Sequence, residues 1–371
     1  NCTPPSRNGL SDANKPRSAD MTEELFWKVY ESLSKQYPEF LSSSRNYPGL
    51  PHRFRTRTIR AVDSTTIQLT AFSMGWAKHR RQKAAAKMHT ALNMRSFLPN
   101  FVIVKSACDS DPKSAWELCA DMKAGEVVVF DKAYVDFKHL KTLASRGVSW
   151  VTRSKENMLY EVMGQQATAG EQKSSAVASA AAEPEGLEKP AGKDVGQQVS
   201  GRRRYVRKKC RILSDERIRL TGISTREHYP EELRLVTAEV EIKGRMVQMT
   251  FITNNLEWSA FTICQLYQCR WGVEVFFKEI KQTLQLADFL GHDENAVRWQ
   301  IWTALLTYLL RFVAWHGKWR HPFSRLFTLV RAVLWNFFLL ASLIECCDTV
   351  RERRKRAIRG SPETAYQLTF W

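Results

Sequence analysis

A chain of 371 residues is long enough for one large domain with insertions or for two domains. With 44% hydrophobic residues, among them 12 Trp and 19 Phe, it can build a sizeable core, while 56 Lys and Arg against 38 Asp and Glu give a formal charge of +18. Such an excess favours a polyanion partner, either nucleic acid or an acidic membrane surface. The eight cysteines include no Cys-x2-Cys pair and no His at zinc-ligand spacing, which argues against a structural zinc site and reads as scattered reduced thiols of an intracellular protein.

In chain order, Met21 to Tyr37 carries Leu25, Phe26, Val29 and Leu33 on one helical face. Residues 1–56 are expected as a helical N-terminal segment, and a start at Asn1 with no secretory signal fits a truncated beginning. Arg57 to Thr70 alternates around Ile59, Val62, Ile67 and Leu69 and predicts strand–turn–strand. Strands are expected at Met88 to Arg95, Phe101 to Ser106, Glu126 to Phe130 and Val148 to Arg153. Helices are expected at Asp111 to Met122 and at Phe137 to Arg146, the latter ended by Gly147. Three strands, helix, strand, helix, strand over residues 57–160 suit an α/β fold, a mixed sheet flanked by helices.

Composition then changes. Gly164 to Gly201 has no aromatic residue and too little apolar surface to order itself, so a flexible tract is expected there. Alternating segments at Cys210 to Leu213, Leu233 to Ile242 and Met246 to Thr253 predict an inserted β subdomain, giving an insertion over 161–253. Residues 254–348 are expected to be helical and 349–371 a basic tail. Ile301 to Trp315 is broken by Arg311, and the run from Arg331 to Cys347 contains Asn336; both are too short for a membrane span of about 20 residues and read as core helices.

Three features carry chemistry. Val62-Asp63-Ser64 and Phe130-Asp131-Lys132-Ala133-Tyr134 each place an acid directly after apolar strand residues. An Asp at a strand end is ordinarily a turn former or cap, but it also leaves a rigid element at the edge where open α/β sheets bind ligands. The third feature runs from Tyr267 through Arg270 and Glu274 to Lys281, in steps of 3, 4 and 7. At 3.6 residues per turn, these steps stack four polar side chains on one stripe. Taken alone, such a stripe is a solvated face with i,i+4 ion pairs. Asp63, Asp131 and Glu274, separated by 68 and 143 residues, would together repel strongly without a cation. As a set they suit two divalent ions about 3.5–4 Å apart, the arrangement used for phosphodiester chemistry.

The Tyr267–Lys281 spacing resembles the Tyr-x2-Arg-x3-Glu-x6-Lys signature of bacterial insertion-sequence DDE transposases, and Asp131-Lys-Ala-Tyr resembles that family's second-acid motif. The resemblance covers roughly Asp12 to Cys346 and is weak in the insertion. It implies a ribonuclease-H-like fold, with the β insertion ahead of the Glu-bearing helix. It also implies Asp63, Asp131 and Glu274 as catalytic metal ligands for Mg²⁺ (two ions, with Mn²⁺ as substitute). Tyr267, Arg270 and Lys281 would contact DNA phosphates at the element end. Trp258 and Trp271 flank the motif; core packing is the ordinary fate of a Trp, stacking on an extruded base the functional one.

Basic clusters at Lys78, Arg80, Arg81 (with Lys83 and Lys87), at Arg202, Arg203, Arg204 through Arg211, and at Arg351 to Arg359 are candidate phosphate tracks; solvated surface is the plain alternative. The expected partners are double-stranded DNA (element ends and target) and a second copy, a homodimer in the DNA complex, with no membrane. The expected location is the bacterial cytoplasm, on the nucleoid. The activity implied is cut-and-paste transposition. A catalytically inactive or domesticated DNA-binding remnant, and a nuclease of the same fold without strand transfer, are the alternatives; a membrane-associated basic protein is weaker.

Overall fold

The structure, a computed structural model, describes residues 6–14, 16–42, 50, 54, 56–69, 73, 75, 77, 84–106, 111–166, 210–242, 244–283, 289, 291–316, 319 and 322–333. Helices α1 (Arg7–Asn14), α2 (Asp20–Gln36) and α3 (Pro38–Ser42) precede strands β1 (Ile59–Leu69), β2 (Ala84–Asn93) and β3 (Leu98–Ser106). Then come α4 (Asp111–Leu118), β4 (Val127–Phe130), α5 (Phe137–Ser145), β5 (Ser149–Arg153) and β6 (Tyr160–Gln165). Beyond residue 209 follow β7 (Cys210–Leu220), α6 (Ile223–His228), β8 (Leu233–Ile242), β9 (Arg245–Thr253), α7 (Ala260–Cys269) and α8 (Trp271–Lys278). A π-helical turn, Glu279–Thr283, leads to α9 (Glu294–Tyr308), α10 (Leu310–His316) and α11 (Phe323–Val333). The chain divides into two compact units, Ser42–Phe276 and the paired segments Asn1–Leu41 and Phe277–Trp371, with the division falling inside α8.

The first unit is built on a nine-stranded sheet in the order β3-β2-β1-β4-β5-β9-β8-β7-β6. The β1/β2 and β2/β3 pairs are antiparallel, while β4 lies parallel to both β1 and β5. The four residues of β4, Val-Val-Val-Phe, are all buried, as a central parallel strand covered on both faces requires. A core cluster behind it gathers Leu118, Phe130, Leu140, Leu143 and Trp150 from β4, β5, α4 and α5. Helix α5 is capped by Asp136, whose side chain accepts from the Lys138 N–H at 3.0 Å. It ends before Gly147 at φ +75°, where an added Cβ would also meet the Ala124 Cβ at 3.0 Å, so the expected glycine stop is what the backbone uses.

Three expectations change. Arg57–Thr70 is not strand–turn–strand: Ile59–Leu69 is one unbroken strand, paired to β2 from Arg60↔Asn93 to Leu69↔Ala84. The polar run Asp63-Ser64-Thr65-Thr66 imitates a turn because the second half of the strand is only partly covered. The residues from Gly164 are not all outside the sheet, since β6 reaches Gln165 and pairs with β7 across a bulge at Val162/Gly164. The inserted strands are not a separate small subdomain either. They extend the main sheet, because β9 pairs antiparallel with β5 (Val151↔Thr253 to Arg153↔Phe251). Side chains continue that seam: Asn254 Oδ1 accepts from the Trp150 N–H at 2.9 Å, and Thr253 Oγ1 donates to the Trp150 carbonyl at 2.6 Å.

In the second unit, Phe26 and Trp27 of α2 pack on Trp302 of α9 with ring centroids 5.5 and 6.1 Å apart. Phe40 stacks at 4.1 Å on Phe312 of α10. The apolar run from Ile301 is thus shared by two core helices broken at Leu309, and no helix among the described residues is long and apolar enough to cross a membrane. The run from Arg331 to Cys347 lies mostly outside the described residues, as do the basic clusters at Lys78–Arg81, Arg202–Arg204 and Arg351–Arg359.

Candidate active site

The register of the sheet brings the first two acids together. Parallel strands β1 and β4 pair from Ile59↔Val127 to Val62↔Phe130. Asp63 and Asp131 are each the next residue, so Asp131 leaves the end of β4 beside Asp63, which lies within β1. Neither is spent in the ordinary way. Asp63 sits within a strand rather than a turn, and Asp131 precedes the 3-10 turn Lys132–Tyr134 without a side-chain cap hydrogen bond.

Helix α7 supplies the other half of the site. Ser259 caps it, its hydroxyl accepting from the Thr262 N–H at 3.2 Å, and most of its residues are buried. Tyr267, in its last turn, is 2% exposed, packs on Phe251 at 5.0 Å and donates its hydroxyl to Asp131 Oδ1 at 3.4 Å. At Arg270 the helix tightens: its N–H bonds the Tyr267 carbonyl, and its own carbonyl accepts from the Val273 N–H. The motif therefore spans two helical segments and a π turn rather than one regular stripe. Arg270 turns inward and bridges two acids, with Nη1 2.5 Å from Asp63 Oδ2 and Nη2 3.0 Å from Glu274 Oε1. The other oxygen of Asp63 accepts from the Ser64 N–H at 2.8 Å.

Arg270 and Tyr267 thus join Asp63, Asp131 and Glu274. The guanidinium and Asp63 are nearly covered (11% and 15% side-chain exposure), whereas Glu274 is half exposed at 50%. Burial raises the Asp63 pKa to about 6, against the pull of Arg270 and the Ser64 N–H and with the help of Asp131 and Glu274. For Arg270, burial alone would lower the pKa; Tyr267 and the three acids outweigh it and raise it. Burial lifts the Tyr267 phenol to about 12.

The Asp63 shift has a consequence for the metal-free protein. A carboxyl whose folded pKa exceeds its unfolded value adds stability below the unfolded value, and loses it as pH rises through the folded one. Wild type should therefore lose at most ~3 kcal/mol between about pH 4 and pH 6 relative to Asp63→Asn. Urea melts of both proteins across that range check it; parallel curves would mean Asp63 titrates normally.

Among the described residues, no three of His, Cys, Asp and Glu are close enough together to hold a metal ion. The donor set is nevertheless of the right kind: hard carboxylate oxygens, with one guanidinium against three acids leaving the site short of positive charge.

The remaining residues of the motif are placed as follows. Trp271 is half-buried beside Arg270. Lys281 lies in the other unit, on the π turn, with its pKa lowered by burial. Trp258 is a core residue, 4% exposed and edge-on to Phe54 at 5.1 Å. Its carbonyl, with that of Leu256, accepts from the fully buried Arg234. Lys87 is committed to Asp111 at 2.5 Å. Sequence reasoning gave no role to Ser64, His89 or Tyr134, although Tyr134 closes the Asp131-Lys-Ala-Tyr motif.

The model of the transposase DDE domain matches residues 54–310, well over half the chain. A Sinorhizobium fredii protein assigned as transposase y4zB is 26% identical over 99% of this chain and 86% of its own length. A Geobacillus stearothermophilus protein assigned as the transposase of insertion sequence element IS5377 is 28% identical over 68% of this chain, which spans 56% of that relative. The solved piggyBac transposase synaptic complex with hairpin DNA matches over 82% of this chain and 55% of its own. At TM-score 0.37 and 10% identity, that likeness is too slight to bear on the fold. On the extent of the domain match, the chain belongs to the family of transposases with a DDE domain.

Proposed function

We propose that this chain is the transposase of a bacterial insertion sequence, cleaving DNA at the element's ends and joining the freed 3′-OH to target DNA by cut and paste. The observation that carries the reading is the Val62↔Phe130 register. It sets Asp63 and Asp131 side by side, facing an arginine that also holds Glu274. A ribonuclease-H-like core is supported by the order β3-β2-β1-β4-β5, antiparallel in its first two pairs and parallel in the next two.

Asp63, Asp131 and Glu274 would hold Mg²⁺, two ions in the full site, with Mn²⁺ as a substitute. Such ions would supply activation of the attacking oxygen and stabilisation of the leaving one. The protein's own groups bind and orient the DNA. Arg270 exchanges its carboxylates for a backbone phosphate, and Tyr267 moves its hydroxyl bond from Asp131 to the same strand; Lys281, in the other unit, is a further candidate DNA contact. Trp271 lies beside the phosphate-binding arginine, in a position to stack on a base. The formal charge of +18 supplies sequence-independent attraction to double-stranded DNA. Pairing two ends calls for two copies, a homodimer on DNA, working in the cytoplasm at the nucleoid.

The test is incubation of the purified chain with DNA carrying the gene's own flanking sequence and Mg²⁺, with strand ends mapped and Glu274→Gln alongside. Discrete cuts leaving 3′-OH ends, absent in the variant, support the reading, and joined products separate a transposase from a nuclease. DNA binding without cutting in both proteins would favour the inactive remnant.

A further inference from the structure

We propose that Tyr134 is a positioning residue for the two strand-borne acids: its hydroxyl ties the turn that carries Asp131 to β1 and β2 at Ser64 and His89, and so fixes the spacing of Asp63 and Asp131. The inference rests on the reading of these acids as a cation-dependent site. Tyr134 stands one turn beyond Asp131, its N–H bonded to the Asp131 carbonyl at 3.0 Å. Its ring is 1% exposed and stacks at 6.4 Å on Phe130, the residue before the acid. From there the hydroxyl reaches His89 Nδ1 at 2.8 Å and bonds the Ser64 side chain.

His89 is fully buried on β2, directly opposite Ser64 of β1 in the strand register. Ser64 in turn donates its N–H to Asp63. On the far side, the Asp111 carboxylate at the start of α4 lies 3.6 Å from His89 Nδ1 and 2.5 Å from Lys87 Nζ. The Tyr134 hydroxyl therefore links the turn that carries Asp131 to β2 at His89 and to β1 at Ser64, the residue whose N–H bonds Asp63. Burial raises the Tyr134 pKa, so the phenol stays neutral and both donates and accepts. Phenylalanine would fill the same space without burying a hydroxyl, whose desolvation is costly unless it is bonded. What the hydroxyl adds is a fixed distance between the turn that carries Asp131 and the strand that carries Asp63.

The experiment compares wild type with Tyr134→Phe, using Tyr229→Phe as the control for loss of a phenol buried elsewhere in the sheet unit, 2% exposed. Free Mn²⁺ is titrated by electron paramagnetic resonance without DNA. Cleavage is then followed against Mg²⁺ and DNA concentration. For Tyr134→Phe, Mn²⁺ affinity should fall by roughly tenfold and the Mg²⁺ midpoint for cleavage should rise to match, as for groups that orient metal ligands. KM for DNA should stay at the wild-type value, and Tyr229→Phe should match wild type in every readout. Equal Mn²⁺ behaviour of wild type and Tyr134→Phe, whether both bind or neither does, overturns the proposal, whatever the melting temperature. A wild type that binds Mn²⁺ but never cuts DNA counts against the transposase reading and leaves the Tyr134 comparison standing.

Discussion

Asp63→Asn should reduce Mg²⁺-dependent cleavage by at least ~10³-fold, equivalent to ~4 kcal/mol of barrier, while leaving DNA binding within a few-fold of wild type. The substitution keeps the volume and the acceptor for the Ser64 N–H but removes the charge that meets Arg270 at 2.5 Å. Of the three acids, Asp63 is the one built into an unbroken strand, with both oxygens engaged, whereas the half-exposed Glu274 has more freedom to move. Replacing it therefore removes the fixed point of the site rather than an adjustable one. Single-turnover cleavage with pre-bound DNA measures the effect directly. A loss of tenfold or less would mean that Asp131 and Glu274 suffice, and that Asp63 is a structural partner of Arg270.

The second large effect lies away from the acids. Arg234 is 0% exposed and pairs with Asp215 through Nε at 2.7 Å and Nη2 at 2.5 Å, while Nη1 donates to the carbonyls of Leu256 and Trp258. Those carbonyls belong to the loop that leads into α7, so the pair anchors the start of the helix that delivers Tyr267 and Arg270. Asp215→Ala would leave a buried guanidinium without its counter-charge, at an expected cost of ~3–5 kcal/mol. For a chain of 371 residues that corresponds to a fall of roughly 4–6 °C in melting temperature. Removing both charges, with Arg234→Met added to Asp215→Leu, should restore most of the loss, since a buried pair replaced by apolar groups of similar volume is often neutral. Calorimetry on the single and double variants tests this; a single variant costing under ~1 kcal/mol would show that water reaches Arg234.

Asp131 was legible in the sequence because the Val-Val-Val-Phe run before it has the composition of a buried parallel strand, and Asp63 because it follows apolar residues, although it lies inside β1 rather than at its end. Their adjacency was not legible. It depends on which residue of β1 pairs with which of β4 across 68 positions, and nothing local encodes that register. The unbroken β1 was hidden by its polar second half. The union of the inserted strands with the main sheet rests on the β5/β9 pair and on Asn254, whose side chain finishes a seam that alternation alone does not reveal. The Tyr–Arg–Glu spacing marked helical residues, but the structure divides them between α7 and α8 at Arg270 rather than along one stripe. It gave no sign that Arg270 would turn inward onto two carboxylates, because spacing ranks neighbours along a helix and not across a sheet.

The outermost pair of the sheet, β6 with β7, has a practical consequence. The chain leaves the described structure after Gln166, whose backbone N–H and side chain are tied to Asp215 and Leu256, and returns at Cys210, which pairs with Val240. Both attachment points are secured by their own bonds at the far end of the strand order from β1, which carries Asp63. Cargo spliced between them, such as an affinity handle or a fluorescent reporter, would be carried on a border already stitched in place, away from the β1/β4 register.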